Sequence, residues 1–256
     1  MLAIVSAMPE EIAGVLQALT GTTTREFGGR QFHTGTLHGV EAVAVFSRWG
    51  KVAAAATVTQ LLTSYPVSRL VFGGVAGATR PGLAIGDIVV ATELVQHDMD
   101  ARPLYPRYEV PLLGKAQFAT DTALRRQLVA AAKTFLSHDL SLQVAAEQRE
   151  FFKIAAPRVV EGLIASGDKF FASAAEVQEL RQRMPELCCV EMEGAAVAQV
   201  CDEYAIPFAV VRTISDSADE NSVQDFPRFA REIARHFSIG VLSRFLRRMS
   251  GREAGR

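Results

Sequence analysis

Cysteine is scarce in this sequence, and the three cysteines that it has follow no functional spacing. Cys188, Cys189 and Cys201 are an odd number in apolar surroundings, without a Cys-x-x-Cys pair or a metal-ligand pattern, so they predict reduced core residues. Apolar runs are short as well, because none reaches the roughly 18 residues that a membrane span needs. Met1 leads directly into a strand-like segment, with no signal-peptide pattern. These absences predict a cytoplasmic protein.

An excess of charge of either sign is absent too. The 27 basic and 28 acidic side chains leave a formal net charge of −1, which gives no electrostatic reason to expect nucleic acid or an anionic membrane as partner. By contrast, 49% of the residues are hydrophobic, enough to bury a full-sized core. We therefore expect one domain over residues 1–249, a disordered tail over residues 250–256, and a small molecule as the partner.

Short β-branched apolar segments alternate with helical patterns along the chain. This alternation is typical of a three-layer α/β/α domain, in which helices cover both faces of a central, twisted, largely parallel or mixed sheet. Seven strands are predicted over residues 2–6, 40–47, 70–74, 87–91, 159–166, 187–190 and 207–214. Helices are predicted over residues 9–19, 50–64, 122–136, 173–183, 193–204 and 227–248.

Two stretches interrupt the alternation. Residues 96–113 contain three prolines and several acidic residues, which predicts an ordered excursion outside the sheet. Residues 137–157 have mixed character and predict a short helix over residues 145–152, with no place in the sheet.

Acidic residues recur where the predicted strands end. Glu10 and Glu11 follow the first strand, Glu191 and Glu193 follow the strand over residues 187–190, and Asp216 follows the strand over residues 207–214. Any one of them is more simply explained as a solvated acid in the first turn of a helix. Because ligands of open α/β sheets bind at the carboxyl ends of strands, three acidic strand ends together predict a binding cleft.

Arg212 lies inside an apolar strand segment and is expected to be buried. A buried guanidinium needs an anionic partner, since desolvating an unpaired charge costs several kcal/mol. The nearby carboxylates are candidates for that partner. A purely structural ion pair and a functional site explain Arg212 equally well.

Glycines and aromatic residues add weaker signals. The run Phe72-Gly73-Gly74-Val75-Ala76-Gly77 matches neither a P-loop nor a dinucleotide fingerprint. A tight turn after a strand is its simpler explanation, although missing side chains would also let a ligand approach the backbone. Phe170, Phe171 and Phe226 are candidates for stacking on an aromatic base, although each one alone is more often a core residue.

Six segments are informative because they occur together and in order. They are Met8-Pro9-Glu10-Glu11, Gly50-Lys51-Val52-Ala53-Ala54-Ala55, Gly86-Asp87-Ile88-Val89-Val90, Ser166-Gly167-Asp168, Val190-Glu191-Met192-Glu193 and Arg212-Thr213-Ile214-Ser215-Asp216-Ser217-Ala218-Asp219. From residue 1 to about residue 240 the chain thereby resembles the 5′-methylthioadenosine/S-adenosylhomocysteine nucleosidases, a family of the nucleoside phosphorylase superfamily.

The resemblance implies a nucleoside phosphorylase-like fold and a role for each matching residue. Asp216 would protonate N7 of the purine, Glu193 would bind the ribose hydroxyls, and Glu11 would orient and activate water near Arg212. The substrate-binding set would be Met8, Val75, Ala76, Gly77, Phe170, Phe171, Glu191, Met192, Ser215 and Phe226. The resemblance also implies a homodimer in which residues 101–113 of the partner subunit close the pocket for the 5′ substituent, and a reaction without a metal or other cofactor.

The chemistry suits these residue types independently. Cleavage of the C1′–N9 bond leaves cationic character on the ribose and negative charge on the base, so an acid at N7 and carboxylates near the sugar favour the transition state. Asp216 must be protonated to act as that acid. Because a free aspartate has a pKa of about 3.9, the site has to raise it or couple protonation to substrate binding.

Three positions depart from the pattern of the family and keep alternatives open. Ser47-Arg48-Trp49-Gly50 replaces the more usual Ser-Gly-Ile-Gly, and Val75 stands where a serine is common. Arg48 is compatible with a phosphate-dependent purine nucleoside phosphorylase, since phosphorolytic relatives bind phosphate with arginines. Trp49 and Val75 are compatible with hydrolysis of a different nucleoside, such as futalosine. A non-catalytic nucleoside-binding module is disfavoured, because the four predicted catalytic residues occur together.

Overall fold

One mixed β-sheet forms the centre of the structure. The computed structural model describes residues 1–251, and within that range the sheet has ten strands. They are β1 (Leu2–Ser6), β2 (Thr20–Phe27), β3 (Arg30–Leu37), β4 (Val40–Phe46), β5 (Arg69–Ala78), β6 (Ile88–Gln96), β7 (Gln117–Ala119), β8 (Val159–Ser166), β9 (Leu187–Glu191) and β10 (Phe208–Asp216). β1 and β10 are buried along their whole length, as expected of apolar strands that are covered on both faces.

Part of this sheet closes on itself. The strands follow the order β10-β6-β8-β9-β5-β1-β4-β3-β2, and β10 also pairs with β5. β5, β10, β6, β8 and β9 therefore form a closed circuit of five strands, which we call the strand ring. β1, β4, β3 and β2 extend from β5 as an open sheet, and β7 pairs with β6.

Nine α-helices and two π-helical segments occur in the described part of the chain. The helices are α1 (Pro9–Ala18), α2 (Lys51–Ser64), α3 (Thr122–Thr134), α4 (Leu140–Gln143), α5 (Ala146–Phe151), α6 (Ala174–Arg183), α7 (Gly194–Glu203), α8 (Ser222–Phe229) and α9 (Arg235–Met249). The π-helical segments, Phe135–Asp139 and Ala230–Ala234, precede α4 and α9. α9 packs against α1 and α3, and α2 packs against α7. The predicted α/β architecture, a mixed sheet covered by helices, is confirmed.

Three strands were not predicted from the sequence. β2 has the sequence Thr-Gly-Thr-Thr-Thr-Arg-Glu-Phe and is exposed over nearly all of its length, so it lacks the apolar alternation on which the prediction depends. It pairs with β3 as a hairpin whose turn contains Gly28 and Gly29, both with positive φ. β7 is only three residues long.

Three predicted boundaries were wrong by several residues. The strand predicted to end at residue 91 continues as β6 to Gln96. The glycine-rich run after residue 72 is not a tight turn, because β5 continues through Gly73, Gly74 and Gly77 to Ala78. The C-terminal helix begins at Ser222 and not at residue 227, so that Pro227 lies inside α8.

The two interrupting stretches lie outside the sheet, as predicted. Between β6 and β7 the chain makes one isolated bridge, Val110 with Lys115. Residues 137–157 hold the end of the first π-helical segment, α4 and α5. In the predicted tail, Ser250 caps α9 and Gly251 lies in a turn, while residues 252–256 lie outside the described residues. Within residues 1–251 no helix is both long and apolar enough to cross a membrane.

Candidate active site

A pocket of about 550 Å³ lies where the carboxyl ends of several strands meet the start of α1. β5 and β9 are antiparallel, but they pair only through their last residues, Gly77 with Val190 and Ala78 with Cys189. Gly77 is also the partner of Asp216 at the end of β10. Groups from distant parts of the sequence therefore converge because the strand ring brings the ends of their strands together.

The predicted site residues converge on this pocket. Its lining includes every one of them except Arg212: Met8, Glu11, Val75, Ala76, Gly77, Phe170, Phe171, Glu191, Met192, Glu193, Ser215, Asp216 and Phe226. Ala7, Trp49, Lys169, Val190 and Ala218 complete the lining. Glu10, the other acid after β1, is exposed and does not line the pocket.

Glu11 is a buried carboxylate held by backbone N–H groups. Its Oε2 accepts hydrogen bonds from Ala7 N and Met8 N, and its Oε1 accepts one from Val75 N, each at 2.9 Å. Burial raises the pKa of Glu11, while the nearby Arg212 and these hydrogen bonds act in the opposite direction. The carboxylate is thus fixed in one orientation at the pocket wall.

Arg212 lies behind the pocket and is paired with Glu191. Its Nη2 donates to Glu191 Oε2 at 2.6 Å, and its guanidinium lies 4.1 Å from the centre of the Phe72 ring. Burial alone would lower the pKa of Arg212, but the carboxylates of Glu191 and Glu11 outweigh burial and raise it. The buried cation required by the sequence therefore has its anionic partners.

Gly74 provides the space in which Glu11 and Arg212 approach each other. A Cβ atom at this position would lie 2.7 Å from Glu11 Oε1 and 2.9 Å from Arg212 Nη1. Both distances are shorter than van der Waals contact, so a side chain here would displace one of the two charged groups. The glycine run of β5 thus lets side chains, as well as a ligand, approach the strand closely.

Glu191 is occupied by interactions within the protein. In addition to Arg212, its carboxylate accepts hydrogen bonds from Ser166 Oγ, from Glu193 N at 3.1 Å and from Gly194 N at 2.8 and 2.9 Å. Ser166 Oγ accepts a hydrogen bond in turn from Ala195 N at 2.7 Å. Glu191 consequently joins the ends of β8 and β9 and the middle of β10 to the start of α7.

Asp216 is a buried carboxyl group at the end of β10. Its Oδ2 accepts from Ser215 Oγ at 2.8 Å, and its Oδ1 accepts from Ala218 N at 2.8 Å. Burial raises the pKa of Asp216, against the opposing effect of hydrogen bonds from Ser222 and Ser215. The direction of this shift is the one that a proton donor requires.

Glu193 lines the pocket from the N-terminus of α7. Its Oε1 accepts a hydrogen bond from Gly50 N at 2.8 Å. Burial, together with the charge of Glu191, raises the pKa of Glu193 to about 8, although Arg212 opposes the shift. Besides Asp216, the pocket thus contains three acidic groups, Glu11, Glu193 and the Arg212-paired Glu191.

Aromatic rings form one wall of the pocket. Phe226 lies between Trp49 and Phe170, with ring centroids 5.7 Å and 5.6 Å away. Phe171 is buried, and its ring makes an edge contact with His97 at 5.2 Å. Flat apolar surfaces and hydrogen-bonding carboxylates in one cleft suit a ligand that joins an aromatic base to a polyol.

Comparison with known proteins agrees with this geometry. The sequence profile of the phosphorylase superfamily matches residues 1–247. A 5′-methylthioadenosine/S-adenosylhomocysteine nucleosidase of Anoxybacillus flavithermus is 37% identical over 238 residues, which are 93% of this chain and 94% of that protein. The chain belongs to the 5′-methylthioadenosine/S-adenosylhomocysteine nucleosidase family.

Two solved structures are similar over nearly the whole chain. The Neisseria meningitidis 5′-methylthioadenosine/S-adenosylhomocysteine nucleosidase in complex with methylthio-immucillin-A has a TM-score of 0.84 and 31% identity, covering 96% of this chain and 98% of that one. The futalosine hydrolase of Helicobacter pylori has a TM-score of 0.79 and 32% identity, covering 95% and 96%. The resemblance to the nucleosidase family inferred from the sequence is confirmed.

The structure shows where the three residues that depart from the nucleosidase family pattern lie. Arg48 is exposed, and its Nη2 donates to Gly29 O at 2.8 Å, so it does not line the pocket. Trp49 lines the pocket with 53% of its surface exposed. At Val75, where a serine is common in the family, the backbone N–H donates to Glu11, and Ser215 Oγ donates to Asp216.

Sequence reasoning missed several residues of this nucleosidase site. Ser166 donates to Glu191, and Gly50 donates to Glu193. Both lie in segments that carried the family resemblance, but the resemblance assigned neither of them a role. Lys169 and Ala218 gave no separate signal. Among residues 1–251 no cluster of histidine, cysteine and acidic side chains could hold a metal ion.

Proposed function

We propose that this protein is an N-ribosyl hydrolase that converts 5′-methylthioadenosine and S-adenosylhomocysteine to adenine and the corresponding thioribose. One observation carries the proposal. A buried, hydrogen-bonded acid with a raised pKa, Asp216, shares a pocket with two carboxylates, Glu11 and Glu193, and with an aromatic wall. The names of the similar proteins, and the nucleoside analogue bound to one of them, support the choice of substrate.

Asp216 is the proposed acid. Protonation of purine N7 by its carboxyl group would neutralise the charge that develops on the base as the C1′–N9 bond breaks. Ser215 and Ala218 each bind one oxygen of the carboxyl group and so fix its direction. Burial raises the pKa of this group, which favours the protonated form that the acid needs.

Glu11 and Glu193 are the proposed partners of water and sugar. Ionised Glu11 would stabilise the cationic character of the ribose electrostatically, which in a site shielded from solvent is worth more than in water. Glu11, held by three backbone N–H groups, would orient the attacking water and accept its proton. Glu193 would accept hydrogen bonds from the ribose hydroxyls, and Arg212 would keep Glu191 in place.

Water is favoured over phosphate as the nucleophile. Phosphorolysis needs cationic groups that bind the attacking anion, and Arg48, the candidate for that role, is engaged with Gly29 O on the surface. Lys169 lines the pocket, but its Nζ donates to Glu176 at 2.7 Å. Glu11 contributes negative charge at the pocket wall, which disfavours a phosphate dianion.

Hydrolysis of futalosine is the second candidate. The similarity to a futalosine hydrolase structure supports it, and so do the changes at Trp49 and Val75, which line the pocket. Both candidates use the same acid and the same carboxylates. They differ only in the base and in the 5′ substituent that the pocket accepts.

A nucleoside panel tests the proposal. Release of free base is followed by chromatography for 5′-methylthioadenosine, S-adenosylhomocysteine, futalosine and adenosine, with and without inorganic phosphate. We expect adenine from the first two at a rate that phosphate does not change. Asp216→Asn is expected to lower kcat by about 100-fold to 10,000-fold, the usual value of a general acid.

The panel can also contradict the proposal. Base release that requires phosphate would make the protein a phosphorylase, and base release from futalosine alone would select the second candidate. Full activity of Asp216→Asn would exclude this residue as the acid. No base release from any nucleoside would leave a binding protein.

We also propose that the protein is a homodimer. Residues 101–113 expose Leu104 and Leu112 to 84% and 92%, and Val52 near the start of α2 is 80% exposed. Large apolar side chains that are this exposed suit an interface with another protein chain. The cytoplasmic location predicted from the sequence stays a prediction, and so does a role in methionine salvage, which the family resemblance implies.

A further inference from the structure

The N-terminus of α2 lies between the groups that would hold the sugar and the base. Gly50, with a φ of 91°, occupies the N-cap position and offers no capping side chain. The first N–H groups instead bind carboxylates of other segments. Gly50 N donates to Glu193 Oε1, and Lys51 N donates to Asp168 Oδ1, both at 2.8 Å. α2 therefore joins Glu193 to the segment that leads into Phe170.

The side chain of Lys51 completes this connection. Lys51 Nζ donates to Asp98 Oδ1 at 2.6 Å, and Asp98 Oδ2 accepts from Asp168 N at 3.0 Å. With the bond from Lys51 N to Asp168 Oδ1, three hydrogen bonds form a closed circuit between three segments that are distant in sequence. We call Lys51, Asp98 and Asp168 the Lys51 circuit.

The Lys51 circuit also reaches α7, the helix that follows Glu193. Lys51 Nζ donates to Gln96 Oε1 at 3.1 Å, and Gln96 Nε2 donates to Gln199 Oε1 at 2.7 Å. The side chains of Lys51 and Asp98 are only 17% and 32% exposed, so solvent screens this ion pair less than a fully exposed one. Partial burial acts to raise the pKa of Asp98, but the hydrogen bond from Lys51 holds it below its ordinary value.

We propose that Lys51 is a positioning residue for the nucleosidase reaction, because the Lys51 circuit fixes the spacing between Glu193 and the Phe170 segment. The proposal rests on the proposed function, in which one ligand spans both groups. Lys51 and Asp98 do not line the pocket and act only through their neighbours. Without the ammonium group, Asp98 would lose its cation and the segment after β8 would lose its fixed distance from Glu193.

Lys51→Met tests the proposal, since methionine keeps much of the length of the side chain without its charge. Contacts to the sugar and the base exist in the ground state and in the transition state, so their loss raises KM more than it lowers kcat. With 5′-methylthioadenosine we expect KM to rise about tenfold and kcat to stay within about threefold. Lys51→Arg, which keeps the charge, should restore most of the lost affinity.

Trp49 supplies a readout that does not depend on turnover. It is the only tryptophan of the chain, it precedes Gly50, and its ring contacts that of Phe226. Titration with adenine, followed by tryptophan fluorescence, should give a dissociation constant about tenfold higher for Lys51→Met than for the unaltered protein. The titration reports on positioning even if the unaltered protein fails to hydrolyse 5′-methylthioadenosine, so the two failures are distinguishable.

Lys115→Met is the matched control. Lys115 also forms an ion pair, with Asp202 at 2.8 Å, but outside the lining of the pocket. KM and adenine affinity should stay as in the unaltered protein. Should Lys51→Met fail to fold, Asp98→Asn removes the same ion pair and carries the same expectation. Unchanged KM and adenine affinity in the Lys51 or Asp98 variant, or an equal change in Lys115→Met, would overturn the proposal.

Discussion

Glu191 and Glu193 are two residues apart, yet their carboxylates have different surroundings. Arg212, Ser166 and backbone N–H groups surround Glu191 and donate hydrogen bonds to its carboxylate. Glu193 accepts a hydrogen bond from Gly50 N, and it lies close enough to Glu191 for the charge of Glu191 to disfavour a second ionisation. Glu191 therefore holds the site together, and Glu193 is available to a ligand.

This difference gives the stability of the protein a defined pH dependence. Burial and the charge of Glu191 raise the pKa of Glu193 to about 8, whereas a glutamate in an unfolded chain titrates near pH ~4.3. Between about pH 5 and pH 8 the folded protein holds a proton that the unfolded chain has lost. The contribution of Glu193 to the free energy of unfolding therefore falls as the pH rises through this window.

Glu193→Gln removes that titration. The difference in free energy of unfolding, Glu193→Gln minus the unaltered protein, should increase by on the order of 2–4 kcal/mol from pH 5 to pH 8. Urea denaturation of both proteins at several pH values measures the difference. Glu41→Gln, at an exposed position of β4, should behave as the unaltered protein does. If the free energy of unfolding of Glu193→Gln also changes with pH as that of the unaltered protein does, the pKa of Glu193 is not raised.

At the scale of single elements, β5 contributes to the site by lacking a side chain at Gly74. An added methyl group at Gly74 would overlap Glu11 Oε1 and Arg212 Nη1, and hydrogen bonds hold both groups in place. Gly74→Ala should therefore lower kcat/KM by about 100-fold, the cost of displacing a catalytic group by about 1 Å. We expect a destabilisation of about 1–3 kcal/mol from the added volume.

Gly73→Ala is the control for this change, since it adds the same methyl group one residue earlier. The nearest atoms, Ser238 Oγ and Val211 Cγ1, would lie 3.9 Å from the new Cβ, which is ordinary van der Waals contact. Its kcat/KM and melting temperature should stay close to those of the unaltered protein. Equal activity of the two alanine variants would show that the space at Gly74 is not needed.

The sequence predicted the elements whose burial shows as an apolar pattern and missed those whose formation depends on a neighbour. β1 has the predicted bounds because its apolar residues are contiguous, and β8 has them because apolar residues lie on both sides of Glu161 and Gly162. β2 is polar and exposed, and it forms because the hairpin places it beside β3. The predicted β5 ended at Gly74, since glycine normally weakens a strand, whereas pairing with β10 as far as Gly77, and with β9 at Gly77 and Ala78, extends it to Ala78.

At the scale of the whole molecule, the exposed apolar residues predict a dimer. Leu112→Glu places a charge in the proposed interface, so sedimentation should change from a mass of two chains to that of one. Activity should fall together with the dimer if residues 101–113 of a partner subunit close the pocket. Leu142→Glu, at an 83% exposed position of α4, should stay dimeric. A monomeric unaltered protein would rule out the dimer.

The composition of the site was predictable, but its arrangement was not. Acids at strand ends and the family resemblance identified most of the residues that line the pocket. Neither could show that Arg48 turns to Gly29 O, because a residue's partner across the fold leaves no local pattern. The Lys51 circuit was missed for the same reason, as its members come from three segments that are joined only by tertiary structure.

The closed strand ring restrains the positions of the residues in its strands, but not those of pocket residues outside them. Asp216, Glu191 and the residues from Val75 to Gly77 belong to strands that each have hydrogen-bonded neighbours on both sides. A one-residue slip of any of these strands would break two ladders at once, so the sheet fixes the distance between Asp216 and Glu191. Pocket residues that lie outside the strand ring, such as Trp49, which we call rim residues, have no such restraint. New substrates can therefore arise by exchange of single rim residues around an unchanged reaction centre.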